Sequence, residues 1–157
     1  MNNKRQEWKA RANAASNPTT PAFILDVLSR NEDADFRLRV ASNPATSATT
    51  LTDLSQDVDI MVRIRVAGNP ATPTLILEAL SRDDSGWIRW GIAKNPSTSL
   101  AILEFLSRDR DTDVRHAIVN NPATSVAILE FLSRDYDSDV SCAAQVKLTA
   151  RNLQNDN

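Results

Sequence analysis

The sequence predicts an all-α fold, an α-solenoid of five two-helix repeats of 26 residues with a partial cap at each end. Three observations carry this prediction: Asn-Pro recurs at a constant interval, the apolar residues in each interval have helical spacing, and capping residues stand at matching positions. Because one copy cannot bury its own apolar face, we expect the copies to stack as one domain over 1–157. The asparagines of the five dipeptides are Asn17, Asn43, Asn69, Asn95 and Asn121.

The copies divide the chain into consecutive segments. Counted from each Asn-Pro, the repeats span 17–42, 43–68, 69–94, 95–120 and 121–146. Residues 1–16 fit the second half of a copy, because Arg11 falls at the position that Arg37 occupies in the next one. Residues 147–157 lack Asn-Pro and the leucine pair, so they are predicted to form a polar C-terminal cap or a frayed end.

The first helix of each copy is predicted to begin at the threonine of its fourth position, such as Thr72. The threonine hydroxyl can accept a hydrogen bond from a first-turn amide, and Pro73 suits the first helical position because it has no N–H to leave unpaired. Leu77 and Leu80 belong to one apolar stripe with helical spacing. The serine that follows, Ser81 in this copy, is predicted to end the helix.

The second helix of each copy is predicted from its aliphatic pairs, which are four residues apart as in Val62 and Val66. An aspartate such as Asp59 is placed to cap the start of this helix. Proline pushes the residue before it out of the α region, so Asn69 is predicted to end the helix. Each copy is therefore predicted to consist of a helix, a turn, a shorter helix and a second turn.

The composition is that of a soluble protein. The chain has 157 residues, of which 41% are hydrophobic and 24% are charged, and its net charge is −2. No apolar run approaches the length of a membrane span, and the N-terminal residues have no apolar core for export, so we expect no membrane association. A single cysteine, Cys142, cannot form an internal disulfide, which is typical of a reducing compartment. The predicted location is therefore cytoplasmic.

The motif V-R-x-x-V-A-x-N-P-x-T-x-x-x-x-x-L-x-x-L runs from Val62 to Leu80, and its five copies resemble the leucine-rich repeat variant family. The resemblance covers roughly residues 7 to 146. It implies two layers of helices, α and short 3₁₀, wound as a right-handed superhelix without β-sheet, similar to the armadillo and HEAT solenoids. The family's repeat is slightly shorter, so the second helix here is expected to be a fuller α-helix.

Some members of that family carry an iron–sulfur cluster on a separate cysteine-rich N-terminal module. Cys142 alone could not supply the four thiolates of such a cluster, so no cofactor is predicted. Catalysis is not predicted either, because the only histidine, His116, has no recognisable nucleophile or acid partner in the sequence. With only three glycines, the chain also lacks a phosphate-binding loop. We therefore expect a protein that is not an enzyme.

The pattern D-x-D-x-D, which begins at Asp109 and again at Asp135, imitates the opening of a calcium loop. An EF-hand requires glycine at the sixth position and glutamate at the twelfth, but Val114 and Asn120 stand there in the first instance. We interpret these acids as helix caps, and no metal site is predicted.

One column of arginines could follow a phosphate backbone. An acid stands four residues before four of the five arginines, at a spacing that joins opposite charges on one helical face. We therefore predict a structural ion-pair ladder between copies. Ser85 replaces the acid before Arg89, which would leave that arginine the least committed. The column consists of Arg11, Arg37, Arg63, Arg89 and Arg115.

The second helix is also predicted to carry the binding surface. Trp87 and Trp90 are three residues apart and so share one face, at positions whose chemistry varies between copies while the core positions stay aliphatic. Tryptophan beside basic residues is typical of an interface hot spot. Alternatively, the column that holds Trp90 packs between copies, with the tryptophan filling space left by Gly86 and Gly91. The predicted strip consists of Leu38, Arg39, Met61, Ile64, Arg65, Trp87, Trp90, Lys94 and His116.

The sequence therefore predicts a non-enzymatic repeat scaffold that binds a protein or peptide through this strip. The alternative is nucleic-acid binding in the manner of HEAT-like DNA-repair proteins, with Arg39, Arg65 and Lys94 contacting the backbone and the tryptophans stacking on bases. A third possibility is an accessory to a larger enzyme or cluster protein.

Overall fold

A computed structural model describes residues 2–155, and this part of the chain is all-helical, with eleven helices and no strand. The prediction of an all-α fold is confirmed. The helices are α1 (Asn2–Ser16), α2 (Ala22–Ser29), α3 (Ala34–Ser42), α4 (Ala48–Leu54), α5 (Ile60–Gly68), α6 (Thr74–Leu80), α7 (Gly86–Lys94), α8 (Leu100–Leu106), α9 (Thr112–Asn120), α10 (Val126–Leu132) and α11 (Ser138–Asn155).

The helices belong to two compact units, Met1–Leu80 and Ser81–Asn157. In the first unit, α3 packs against α1 and α5, and α2 packs against α4. In the second unit, α9 packs against both α7 and α11. Within each unit, then, helices that hold the same place in successive copies are neighbours, with the first helices of the copies packed beside them.

The core of both units is formed by the predicted aliphatic positions. One leucine of each first helix is fully buried, and so are the aliphatic pairs of the second helices, for example Ile88 and Ile92. Burying a side chain of this size stabilises the fold by about 1.5–3 kcal/mol. The five buried leucines are Leu25, Leu51, Leu77, Leu103 and Leu129.

The prediction that threonine caps the first helix is wrong. The N-cap is the next residue, such as Ser125, whose side chain accepts a hydrogen bond from the Ile128 amide. The Thr124 hydroxyl instead donates to the carbonyl of Ile118, at 2.6 Å, in the last turn of the preceding helix. Because the helix ends at Asn-Pro, the Ile118 carbonyl accepts only the Asn121 backbone N–H, at 3.1 Å, and its second lone pair is available to the threonine hydroxyl. Proline at this place, as at Pro21, is likewise the N-cap of its helix rather than its first residue.

The other predicted helix ends are confirmed. Asp59 caps α5 by accepting a hydrogen bond from the Met61 amide, and Asn69 is the C-cap of the same helix. Ser107 is the C-cap of α8, and its hydroxyl donates to the carbonyl of Glu104 at 2.7 Å.

Helix α11 continues through the segment predicted as a C-terminal cap, as far as Asn155. No Asn-Pro follows Val146, so nothing forces the chain out of the helical conformation there. The Arg151 guanidinium donates to the carbonyl of Thr124 at 2.7 Å and so ties this extension to the fifth copy. Met1, Asp156 and Asn157, which the sequence assigned to the two end segments, lie outside the described residues.

Within each unit, the asparagine of an Asn-Pro dipeptide connects its copy to the one before it. The Asn121 side-chain amide donates to the carbonyls of Ala93 and Asn95, at 2.7 and 2.9 Å, and its oxygen accepts from the Ala123 amide at 2.8 Å. In the first unit, Asn43 makes the same three bonds to its own copy and its predecessor. Both side chains are buried, with 3% and 2% exposure.

Replacing Thr124 by valine tests the role of the threonine column. Valine keeps the shape but removes one of the two hydrogen bonds that the Ile118 carbonyl accepts, the other coming from the Asn121 amide, so we expect the free energy of unfolding to fall by about 1 kcal/mol. Denaturant unfolding measures this change. As a control, Thr52→Val changes an exposed threonine within α4 and should stay within about 0.5 kcal/mol. Equal effects of the two changes would contradict the assignment.

Candidate functional site

Trp87 and Trp90 form an aromatic pair on α7. The buried side of this helix is set by Ile88 and Ile92, which leaves the two tryptophans on its outer side. Their ring centroids are 6.3 Å apart with an interplanar angle of 77°, an edge-to-face arrangement. Lys94, one turn further on, places its ammonium 4.4 Å from the Trp90 ring centroid. The spacing of these three residues along α7 therefore places two aromatic rings and a cation close together.

The packing alternative concerns the column of Trp90, which is half-buried, and it does not extend to Trp87, of which 65% is exposed. Nor is the space beside Gly86 open to an aromatic ring, since a side chain there would collide with the Asp111 carboxylate. Gly91 is itself buried on the inner side of α7. Trp90 is half-buried, so it anchors the pair while Trp87 faces solvent.

In the first unit, the predicted strip lies on α3 and α5. Met61 is 44% exposed and Ile64 is half-buried. Arg39 forms an ion pair with Asp35 on its own helix, at 2.7 Å. Its guanidinium also lies over the Trp8 ring, 5.9 Å from the centroid, and is therefore already engaged from two directions.

A cavity of about 250 Å³ in the first unit brings together Leu38, Arg39 and Arg65 from the predicted strip. Arg65 is exposed beside this cavity. In the second unit, His116 is exposed on α9. The strip is therefore present in each unit as a set of accessible second-helix side chains, aromatic in the second unit and mixed basic and apolar in the first.

The arginine column forms buried ion pairs between copies, as predicted, but the acid partners are different. Arg115 binds Asp135 in the next copy through two N–H···O bonds, of 2.8 and 2.9 Å, and its side chain is 3% exposed. Arg37 and Arg89 pair in the same way with aspartates twenty residues further on. The acid four residues earlier is instead the N-cap of the helix, as Asp111 shows.

Arg89 is therefore not the least committed arginine, as the sequence suggested. Only 6% of it is exposed, and it pairs with Asp109 at 2.6 Å while donating to the carbonyl of Asp83 at 2.8 Å. Two arginines of the column differ from these: Arg11 is exposed and its guanidinium lies 5.3 Å from the Phe36 ring centroid, and Arg63 donates to the backbone carbonyl of Asp57 at 2.7 Å. The paired arginines of this column cannot act as phosphate ligands without breaking buried bonds.

The pairs hold their aspartates ionised. Burial alone would raise the pKa of Asp135, but hydrogen bonds from Arg115 and from the Asp137 amide outweigh burial, and the pKa lies below its ordinary value. The pKa of Asp57 is lowered by the same balance, through Arg37 and the Asp59 amide.

The aspartates of the D-x-D-x-D segments have two different roles, in ion pairs with arginine and in helix caps. Asp109 and Asp135 bind arginines, whereas Asp111 and Asp137 accept hydrogen bonds from amides at the start of α9 and α11. No group of three or more His, Cys, Asp or Glu among the described residues is arranged to hold a metal ion.

Two features were missed in the sequence. Trp8 in α1 donates from its indole N–H to Asp33, at 3.4 Å, and packs edge to face on Phe36. On the first helices of the second unit, Phe105 and Phe131 are about half exposed, where earlier copies have no aromatic residue. The change of residue type at this position was the signal that could have identified them.

Comparisons of the chain with protein-family models, curated proteins and solved structures found no match. Over the described range, no helix is both long enough and apolar enough to cross a membrane.

Replacing Asp135 by asparagine tests the buried pair. The change leaves the Arg115 charge uncompensated, so we expect a loss of about 3–5 kcal/mol in the free energy of unfolding at neutral pH. A carboxylate whose pKa is lowered on folding stabilises the fold above its unfolded pKa, about 3.9, and loses this effect as the pH falls through the folded value. The gap between variant and parent should therefore narrow in acid.

The exposed Asp139, changed to asparagine, is the control, and its effect should stay within about 1 kcal/mol at either pH. Denaturant unfolding at neutral and acidic pH gives both values. A gap for Asp135→Asn that is constant with pH would show that the aspartate does not contribute through its charge.

Proposed function

We propose that the protein is a cytoplasmic, non-enzymatic scaffold of the leucine-rich repeat variant type, a right-handed α-solenoid that binds a protein or peptide through the outer side of its second helices. The recurring bonds of Asn43 and Asn121 to the preceding copy support the solenoid, because each copy is held to its predecessor in the same way within its unit. The row of α1, α3 and α5 in the first unit supports it as well.

The exposure of Trp87 is the observation that carries the proposed binding function. An indole that is 65% exposed leaves a large apolar area in water, which a partner could cover. The ring has only two side-chain torsions and is held edge to face against the half-buried Trp90, so little conformational entropy is lost on binding. Tryptophan is one of the residue types most enriched in hot spots, and this pair supplies two of them.

The charges of the strip favour a protein over a nucleic acid. Arg39 is paired with Asp35, and Lys94 is engaged with the Trp90 ring. Asp113 on α9, at the position equivalent to Trp87, adds an exposed negative charge to the same unit. A polyanion gains most where several unpaired cations line one track, and these residues do not provide such a track.

The double change Trp87→Ala and Trp90→Ala tests the proposed function. The tagged protein and the variant are used to capture partners from native lysate, with and without nuclease treatment. We expect nuclease-resistant capture that is weakened by at least about 2 kcal/mol in the variant, while the melting temperature falls only slightly. The matched control is Phe23→Ala, which removes an aromatic residue that is 71% exposed on a first helix.

Three results would contradict the proposal. The first is capture that disappears with nuclease, which would support nucleic-acid binding. The second is an equal loss of capture in Phe23→Ala. The third is unfolding of the double variant with capture intact in its folded fraction, which would make the tryptophans packing residues.

A further inference from the structure

A second surface of the second unit combines arginines with exposed aromatic rings. Phe105 on α8 and Phe131 on α10 are 50% and 46% exposed. The Arg82 guanidinium lies 5.1 Å from the Phe105 ring centroid, and that of Arg108 lies 4.7 Å from the Phe131 centroid. Each arginine follows the first helix of its copy, and each ring belongs to the next copy, so the same contact recurs after 26 residues.

The rings and arginines line two neighbouring cavities. The first, of about 530 Å³, is lined by Arg82, Phe105, Arg108 and Arg110 among others. The second, of about 550 Å³, is lined by Arg108, Phe131, Arg134 and Tyr136 among others. Arg108 borders both cavities. We call these two cavities with their arginines and rings the turn groove.

Six arginines and four aspartates line the two cavities, so the turn groove carries an excess of positive charge. Two of the aspartates, Asp83 and Asp84, line the first cavity only. Asp109 and Asp135 border the cavities, but their carboxylates bind the buried Arg89 and Arg115. In the described part of the chain, the guanidinium groups of Arg108, Arg110 and Arg134 have no carboxylate within ion-pair distance.

The hydrogen bonds of these arginines use only part of their donor capacity. Arg108 donates to the backbone carbonyl of Glu104, at 3.1 Å, and Arg110 to that of Asp84, at 3.2 Å. A guanidinium has five N–H donors, and stacking on a ring leaves its planar edge available for a carboxylate. The turn groove thus presents guanidinium groups, whose orientation these contacts restrict, next to aromatic rings.

We propose that the turn groove binds an extended peptide segment rich in aspartate and glutamate. Side-chain carboxylates of the peptide pair with Arg108 and Arg134 in the two-bond geometry that guanidinium favours, and the peptide chain covers the rings of Phe131 and Tyr136. The repetition of the contact along α8 and α10 suits a linear partner that places equivalent groups in successive cavities.

The observations favour a peptide over a single-stranded nucleic acid. An arginine already lies over Phe105 and over Phe131, which reduces the ring surface on which a base could stack. The exposed Asp84 in the first cavity opposes a continuous phosphate backbone, whereas a peptide can place a neutral residue beside it. The groove uses residues other than the tryptophan strip, so the two proposals can fail separately.

The test measures fluorescence anisotropy of a labelled peptide of alternating glutamate and serine with the full chain. We expect binding that Arg108→Gln and Arg134→Gln each weaken about tenfold, the effect of one charge-assisted pair. The matched control is Arg30→Gln, which changes the same repeat position in the first unit, where Arg30 already contacts Asp26 at 3.4 Å. This control and Trp87→Ala with Trp90→Ala should bind as the parent does.

The variants Arg108→Lys and Arg134→Lys distinguish a lost binding contact from misfolding. They keep the charge and the aliphatic stem but lose the two-bond geometry, so an intermediate affinity is expected with an unchanged helical circular dichroism spectrum. The proposal is overturned if the parent does not bind the peptide, if a glutamine and serine peptide binds equally, if Arg30→Gln weakens binding as much, or if oligouridylate binds more tightly than the acidic peptide.

Discussion

The structure depends on satisfying the backbone carbonyls that are exposed when each copy ends at Asn-Pro. Proline stops the second helix, and the carbonyls of its last turn then face the interior, where an unpaired polar group costs about 1–3 kcal/mol. The Asn121 side-chain amide, at the end of α9, donates to the carbonyls of Ala93 and Asn95 at the end of α7. The buried Thr124 hydroxyl adds a second hydrogen bond to the Ile118 carbonyl, which also accepts from the Asn121 backbone amide. Among the described residues, no buried side-chain polar atom lacks a hydrogen-bond partner. The hydrogen bonds that complete the turn at Asn-Pro therefore also attach one copy to the next.

The polar residues that join the copies stand at fixed repeat positions, which leaves other positions free to carry function. The aliphatic columns, the asparagines and threonines, and the arginine–aspartate pairs account for stability, and their residue types change little between copies. Positions outside this set differ from copy to copy, as with Trp87 on the second helix and Phe131 on the first, and both are substantially exposed. Variation at exposed positions on a uniform framework is the arrangement by which repeat proteins acquire binding surfaces.

The helices and their ends could be predicted from sequence, because period, capping aspartates and the restriction before proline act within a few residues. The roles of Thr124 and Arg115 could not, for a reason common to both. A residue type that recurs at one repeat position shows that the residue is required there but does not show which neighbour it contacts. In both cases the nearest suitable group in sequence is not the partner. The actual partners are the Ile118 carbonyl, in the preceding helix, and Asp135, in the next copy.

The most direct test compares Asn121→Ala with Asn17→Ala by denaturant unfolding. Both asparagines precede proline and follow a helix. The Asn17 side chain is exposed and its oxygen accepts hydrogen bonds from Thr19 in its own turn, whereas the Asn121 side chain is buried and donates to the carbonyls of Ala93 and Asn95. If the asparagine holds neighbouring copies together, Asn121→Ala should lower the free energy of unfolding by about 2 kcal/mol or more, and Asn17→Ala by less than about 1 kcal/mol. Similar losses for the two variants would mean that asparagine serves only the local turn, and the account of how the copies are joined would be wrong.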